Sequence, residues 1–231
     1  MKESRHNFHE ELRRLEGRML DGMDLVAGQL DRALDCVSEQ DVELAATVVA
    51  DDGLIDARYL EVHNGVLSLL ARETPVAGDL RLVAALLHSI RCIERMGDQC
   101  ANIAKLVPLS RTHVRNDRDT LEAINRMGQL AHAQVLQSKD AFKTRHIALA
   151  HDLARHQVQV NRINREIFNR VVQAGEDPGI REWAMFMVLV ARALARISDN
   201  AVDIGEQSVF VVTGHLGSLS PDTPPPAFAA P

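Results

Sequence analysis

At 231 residues with a formal net charge of −6, the chain has length for one large domain or two small ones and no general electrostatic pull toward nucleic acid. Hydrophobic residues make up 46% and charged residues 25%, an ordinary balance for a chain with its own core, while aromatics reach only 3% and strand-like aromatic or β-branched runs are scarce. The N-terminus from Met1 to Glu11 is charged, and the longest apolar run, Ala184 to Ala191, is far too short to span a bilayer, so the expectation is a cytoplasmic, all-α protein with no signal peptide and no membrane insertion.

Leu12, Leu15, Met19, Met23, Val26, Leu30, Leu34 and Val37 recur at three- and four-residue spacing and predict an amphipathic helix over 7–37. Ser38 and Asp41 supply cap chemistry for a second helix over 42–71, whose stripe is Leu44, Val48, Ile55, Tyr59, Val62, Val66 and Leu69. Thr74-Pro75 breaks the chain before a third helix over 77–106, which Pro108 is expected to close. Arg111, Arg115 and Arg118 are diluted by Asp117 and Asp119 and read as a surface helix start rather than a nucleic-acid patch. A fourth helix is expected over 115–138 and a fifth over 141–172. Gly175, Asp177, Pro178 and Gly179 then form a turn before a sixth over 180–212. The tail over 214–231 holds five prolines and reads as disordered or loosely packed.

Three helices, a break and three more helices suggest a duplication. Arg91-Cys92-Ile93-Glu94-Arg95-Met96-Gly97-Asp98 aligns with Arg192-Ala193-Leu194-Ala195-Arg196-Ile197-Ser198-Asp199 at an offset of 101 residues, and Asn102-Ile103 then falls on Asp203-Ile204. The expected organisation is a three-helix bundle over 7–108, a related and diverged one over 111–213, and the tail. A single elongated bundle with helices paired across the halves fits the same pattern.

Acidic residues carry the only chemistry that the spacing brings forward. Glu94 and Asp98 are four apart, with Asn102 continuing the face, and Asp52 and Asp56 are four apart on the preceding helix. Two antiparallel helices presenting these pairs can build an all-oxygen site for a hard cation such as Mg, Mn, Fe or Ca. An exposed face in which Arg91 and Arg95 neutralise the acids is the alternative. His63 and His88 read as solvent-facing or packing residues. His146, His151 and His156 are five apart and spread around their helix, and Asp24, Asp31 and Asp35 read as a solvated face. Cys36, Cys92 and Cys100 lack CxxC spacing and read as buried thiols, Cys92 and Cys100 being close enough in register for a soft metal. No Gly-rich nucleotide loop, nucleophile elbow or HExxH stands in the sequence, which favours a non-enzyme.

The run Ala71-Arg72-Glu73-Thr74-Pro75-Val76-Ala77-Gly78-Asp79-Leu80-Arg81, followed by Ile93-Glu94-Arg95-Met96-Gly97-Asp98 and Asn102-Ile103-Ala104, resembles the signature segment of the PhoU family of phosphate-uptake regulators. Asp52-Gly53-Leu54-Ile55-Asp56 resembles that family's other acidic segment. The resemblance covers about residues 7–214. It implies two three-helix bundles related by a pseudo-twofold, and a repressor of phosphate-starvation signalling. Such a repressor acts through a phosphate ABC transporter, its ATPase subunit included, and a membrane sensor histidine kinase, often as a homodimer. It further implies Asp52, Asp56, Glu94 and Asp98 as ligands for Fe, Mn, Mg or Zn. In the second half only Asp199 and Asp203 survive, because Ala195 replaces the carboxylate and Gln157 and Asn161 replace the upstream pair. Metal is therefore expected in the first bundle and little or none in the second. An adaptor or metal store unrelated to phosphate, and an enzyme of the carboxylate-bridged metal class, are the competing readings.

Overall fold

The structure, a computed structural model, describes residues 2–110, 117–173 and 178–221. These form six α-helices: α1 (Lys2–Glu39), α2 (Val42–Arg72), α3 (Ala77–Ser110), α4 (Arg118–Thr144), α5 (Ile147–Gln173) and α6 (Pro178–Thr213). The expected all-α class is what the chain adopts. Arg111, Arg115 and the turn residues Gly175 and Asp177 lie outside the described residues, as does the tail from residue 222.

Local chemistry sets the helix ends. Asp41 caps α2 as expected, its carboxylate accepting from Glu43 N at 3.0 Å and Leu44 N at 2.9 Å. Pro108 does not close α3, which continues through it to Ser110. The proline removes the hydrogen bond that its nitrogen would have donated to the preceding turn, and α3 ends two residues later. The boundary between α4 and α5 falls later than the sequence suggested. Ser138 stays helical and returns its hydroxyl to Val135 O at 2.9 Å. The chain instead turns at Arg145, which takes the left-handed conformation (φ 57°) without being glycine or asparagine. His146 then caps α5, its Nδ1 accepting from Leu149 N at 3.1 Å.

Helix pairing settles how the halves relate. Helix α2 packs on α1 and α3, α5 packs on α4 and α6, and the halves meet through α1 against α4 and α3 against α6. Two three-helix bundles thus share a seam of four inner helices, with α2 and α5 outside. One hydrophobic core runs through both, from Leu15, Met19 and Met23 through Ile90, Ile93 and Met96 to Trp183, Leu194 and Ile197. Each such fully buried side chain contributes about 1.5–3 kcal/mol. Gly128 of α4 lets Leu34 of α1 approach so closely that a Cβ there would collide with its side chain.

The acids read above as a solvated face, Asp24, Asp31 and Asp35, are exposed as expected, and two of them also reach across this seam. Asp24 pairs with Lys139 of α4, and Asp31 lies 3.4 Å from His132. Glu16 pairs with Arg145 at 2.7 Å. Residues 214–221 turn back along α6, where Leu219 donates its N–H to Glu206 at 2.9 Å.

The duplication is visible inside the core. Gln29 of α1 donates to Val48 O of α2 at 3.1 Å, and Gln134 of α4 donates to Leu153 O of α5 at 3.2 Å. Both bonds span 19 residues and both glutamines are buried. This register places Gln157 where the first half has Asp52, and Asn161 where it has Asp56.

Candidate metal centre

Helices α2 and α3 bring the four predicted carboxylates of the first half together. Gly97 makes the approach possible, since a Cβ on it would lie 2.9 Å from Ile55 Cδ1 and 3.0 Å from Asp52 Oδ1. Asp52 is therefore wedged between the helices, with Gln29 Nε2 at 3.5 Å. Burial pushes its carboxyl above the usual range. The Gln29 amide and the charge of Lys105 oppose that, while the charges of Asp56 and Asp98 add to it. Glu94 is raised for the same first reason. Arg91 and Arg95 oppose the shift, and Asp98 and Asp56 again reinforce it.

Neighbouring acids are neutralised differently. Asp51 pairs with Arg32, and Glu61 with Arg18 at 3.2 Å and Arg58 at 3.6 Å. Arg91 pairs with one oxygen of Glu94 at 3.0 Å while lying over the Tyr59 ring. The other oxygen, Glu94 Oε2, is buried with no hydrogen-bond partner among the described residues. The arginine reading of this face thus holds for half of Glu94 only. Arg95 points elsewhere, into a cleft with Gln99, Arg196, Asp199 and Asn200.

At the equivalent place in the second half, Gln157 Nε2 donates to Asp199 Oδ1 at 2.7 Å. An amide donor has replaced a carboxylate and satisfies its partner directly. Ala195 stands where Glu94 would be and is buried. The first half holds several carboxylates with too few donors, and the second half holds a closed pair.

An oxygen-rich, under-neutralised set with a buried unpartnered carboxylate oxygen fits a hard cation. Asp52, Asp56, Glu94 and Asp98 are the residues that would hold it. Three of their oxygens do not converge within 4.8 Å of one another; among the described residues only His88, Cys92 and Asp203 place three such ligand atoms that close. Asp56 and Asp98 are exposed, so their side chains can turn without repacking the core.

Asp203 accordingly sits against α3, beside His88 and Cys92, while Asp199 is engaged with Gln157. Burial raises the Asp203 carboxyl, with His88 opposing and Asp199 reinforcing. His88 is exposed, as the solvent-facing reading expected, and it also stands beside Cys92 and Asp203. The signal available was its i,i+4 spacing to Cys92; the missing partner comes from the other half. Cys92 and Cys100 do not join in one site. His63 stacks beside Tyr59 with ring centroids 5.3 Å apart. His146 caps α5, His151 is buried and His156 lies 3.9 Å from Asp152, so the three spread around the helix as their spacing implied.

The PhoU domain family model matches residues 20–107 and 124–208, one copy on each three-helix bundle. The chain belongs to the PhoU family. A phosphate-specific transport system accessory protein PhoU homolog from Clostridium acetobutylicum is 25% identical over 94% of this chain and 99% of its own length. One from Zymomonas mobilis is 28% identical over 90% of this chain and 87% of its own. Among solved structures, the phosphate transport system regulatory protein PhoU from Streptococcus pneumoniae superposes with a TM-score of 0.85 at 26% identity. It covers 92% of this chain and 100% of that one. PhoU from Pseudomonas aeruginosa also gives 0.85 at 26% identity, covering 90% and 100%. All four first-half carboxylates fall inside the first matched PhoU segment, and Asp199 and Asp203 inside the second.

Proposed function

We propose that this PhoU-family chain is a non-enzymatic negative regulator of phosphate uptake and phosphate-starvation signalling. It acts from the cytoplasm, as a homodimer, by binding a phosphate ABC transporter through its ATPase subunit and a sensor histidine kinase. The observation that carries this reading is end-to-end likeness to a phosphate-specific transport system accessory protein, over 94% of this chain and 99% of the relative. A regulator needs a rigid surface that favours one state of its partner over another, not a reaction centre. Two bundles sharing one core supply that rigidity.

In this reading the first-half carboxylates hold Fe, Mn, Mg or Zn. The cation contributes positive charge between α2 and α3 and fixes their spacing. The second half needs none at the equivalent place, because Gln157 already satisfies Asp199. The unpaired oxygen of Glu94 also favours a second reading, a metal-binding adaptor or store unrelated to phosphate.

The test is capture of tagged protein from its own cells, grown in high and in low phosphate and extracted in mild detergent. Recovery of the phosphate transporter ATPase subunit or the sensor kinase, enriched in high phosphate, is the expected result. Recovery of neither with folded and abundant bait overturns the phosphate reading and leaves the adaptor or store.

A further inference from the structure

A second cluster of ligands lies apart from the acidic face, where α3 meets α6. His88 and Cys92 are four residues apart on α3 and so share one face. Asp203 reaches them from α6. One ring nitrogen, the sulfur and one carboxylate oxygen lie within 4.8 Å of one another. Around one tetrahedral ion, ligand atoms bound at about 2.0–2.3 Å stand about 3.3–3.8 Å apart, so this set closes by at most about 1.5 Å when it binds. His88 is exposed, Cys92 buried and Asp203 between the two, which leaves the cluster reachable from one side.

We infer that His88, Cys92 and Asp203 form a binding site for a borderline-soft divalent cation of the zinc type, clamping the first half of the chain to the second. The donor set selects the cation. Nitrogen, sulfur and oxygen together suit Zn²⁺ and its Co²⁺ analogue, whereas Mg²⁺ and Ca²⁺ take oxygen alone. Binding displaces the Cys92 thiol proton to solvent and leaves the thiolate on the metal. Three protein ligands leave a fourth position for water.

The site is not a by-product of the duplication. The offset of 101 residues carries His88 to Leu189 and Cys92 to Ala193, and carries Asp203 back to Asn102. The mirror position across the same seam therefore holds no such donors. Glu206, one turn beyond Asp203, is already engaged by the Leu219 amide. Asp199, one turn before it, accepts from Gln157. That leaves Asp203 as the carboxylate of this stretch with no hydrogen-bond donor among the described residues. The inference does not depend on the phosphate role proposed above.

The test is titration of Co²⁺ and then Zn²⁺ into untagged, chelator-stripped, reduced full-length protein, followed by absorbance. A thiolate-to-cobalt charge-transfer band at one equivalent per chain is expected, displaced by Zn²⁺ and not by excess Mg²⁺. Oxygen ligands alone give no such band, and the Cys92 variant separates this site from Cys100, which feels the charge of Asp52. Cys92→Ala should abolish the band. His88→Asn, at an exposed position that does not threaten the fold, and Asp203→Asn should each weaken binding at least tenfold, with helical circular dichroism unchanged. Absence of the band in the wild-type protein overturns the inference. So does a band that survives Cys92→Ala, or one that is indifferent to His88→Asn.

Discussion

Replacing Asp52 with Gln transplants the arrangement of the second half into the first. In the second half the amide of Gln157 donates to Asp199 at 2.7 Å. In the first half Asp52 is a carboxylate held near Asp56, Asp98 and Glu94, with burial opposing its charge. The substitution removes one of the like charges and offers Asp98 a donor. A hydrogen bond to a charged group nets about 1.5–3 kcal/mol in a buried setting. Asp98 is exposed, so about 1 kcal/mol is the appropriate figure. For a chain of this length, 1 kcal/mol shifts the melting temperature by about 2–4 °C. Metal-stripped Asp52→Gln protein should therefore melt a few degrees above wild type. Metal should reverse the order. A hard cation such as Mn²⁺ at about 100 times its dissociation constant adds about 2.7 kcal/mol, or roughly 5–11 °C, to protein that binds it. That increment should largely vanish in Asp52→Gln. Thermal melts followed by circular dichroism, with and without Mn²⁺, give both numbers. A lower melting point for the stripped variant, or an undiminished Mn²⁺ increment, refutes the reasoning.

The reciprocal change, Gln157→Asp, should lower the stability of stripped protein by about 1 kcal/mol by leaving Asp199 beside a second carboxylate, and excess Mn²⁺ should restore it; melts again decide. The raised carboxyls of Asp52 and Glu94 stabilise the metal-free fold below the ordinary carboxylate range, and that contribution is lost as pH rises through their folded values. The stability gap between Asp52→Gln and wild type should therefore narrow as the pH of a denaturant series falls from about 7 toward 4. His151 carries the opposite sign. Burial, helped by Arg155, lowers it, and neither ring nitrogen has a hydrogen-bond partner among the described residues. Its contribution is intact above the ordinary histidine value near 6.5 and is lost as pH falls below it, so His151→Leu should flatten the stability loss between pH 7 and 5. Gly128→Ala should cost about 1–3 kcal/mol by driving a methyl into Leu34, and Leu34→Ala should relieve part of that in a double-mutant cycle.

The six helices were legible because their apolar residues repeat at three and four positions, and each stripe found the core. Two boundaries were not. The turn after α4 uses Arg145 in a left-handed conformation and His146 as a cap, where sequence rules look for glycine and serine. Pro108 reads as a stop yet sits inside α3. The paired carboxylates were visible as i,i+4 spacings within single helices. Gln29 and Gly97, which fix Asp52 between α2 and α3, were not, since their roles exist only once three helices are packed. The grouping of His88 and Cys92 with Asp203 needs the register of α3 against α6, which no spacing within one helix contains.

The comparison between halves constrains what the acidic face can be. A duplicated fold offers the same backbone position twice, so packing alone would have been satisfied by the same chemistry in both. The second half shows the solution that needs nothing from outside: an amide against Asp199 and a methyl at Ala195. The first half instead keeps Asp52 and Glu94 at positions where burial disfavours their charge, and leaves Glu94 Oε2 without a donor among the described residues. Left uncompensated, such groups cost free energy. A surface evolved only for rigidity would not retain them when the closed pair fits the same fold. The asymmetry therefore favours a role for the α2–α3 face that depends on its charge, through a cation, a basic partner surface, or both. Mn²⁺ binding separates these, because a face that serves a basic partner directly leaves the stripped protein's melting point unmoved by the cation.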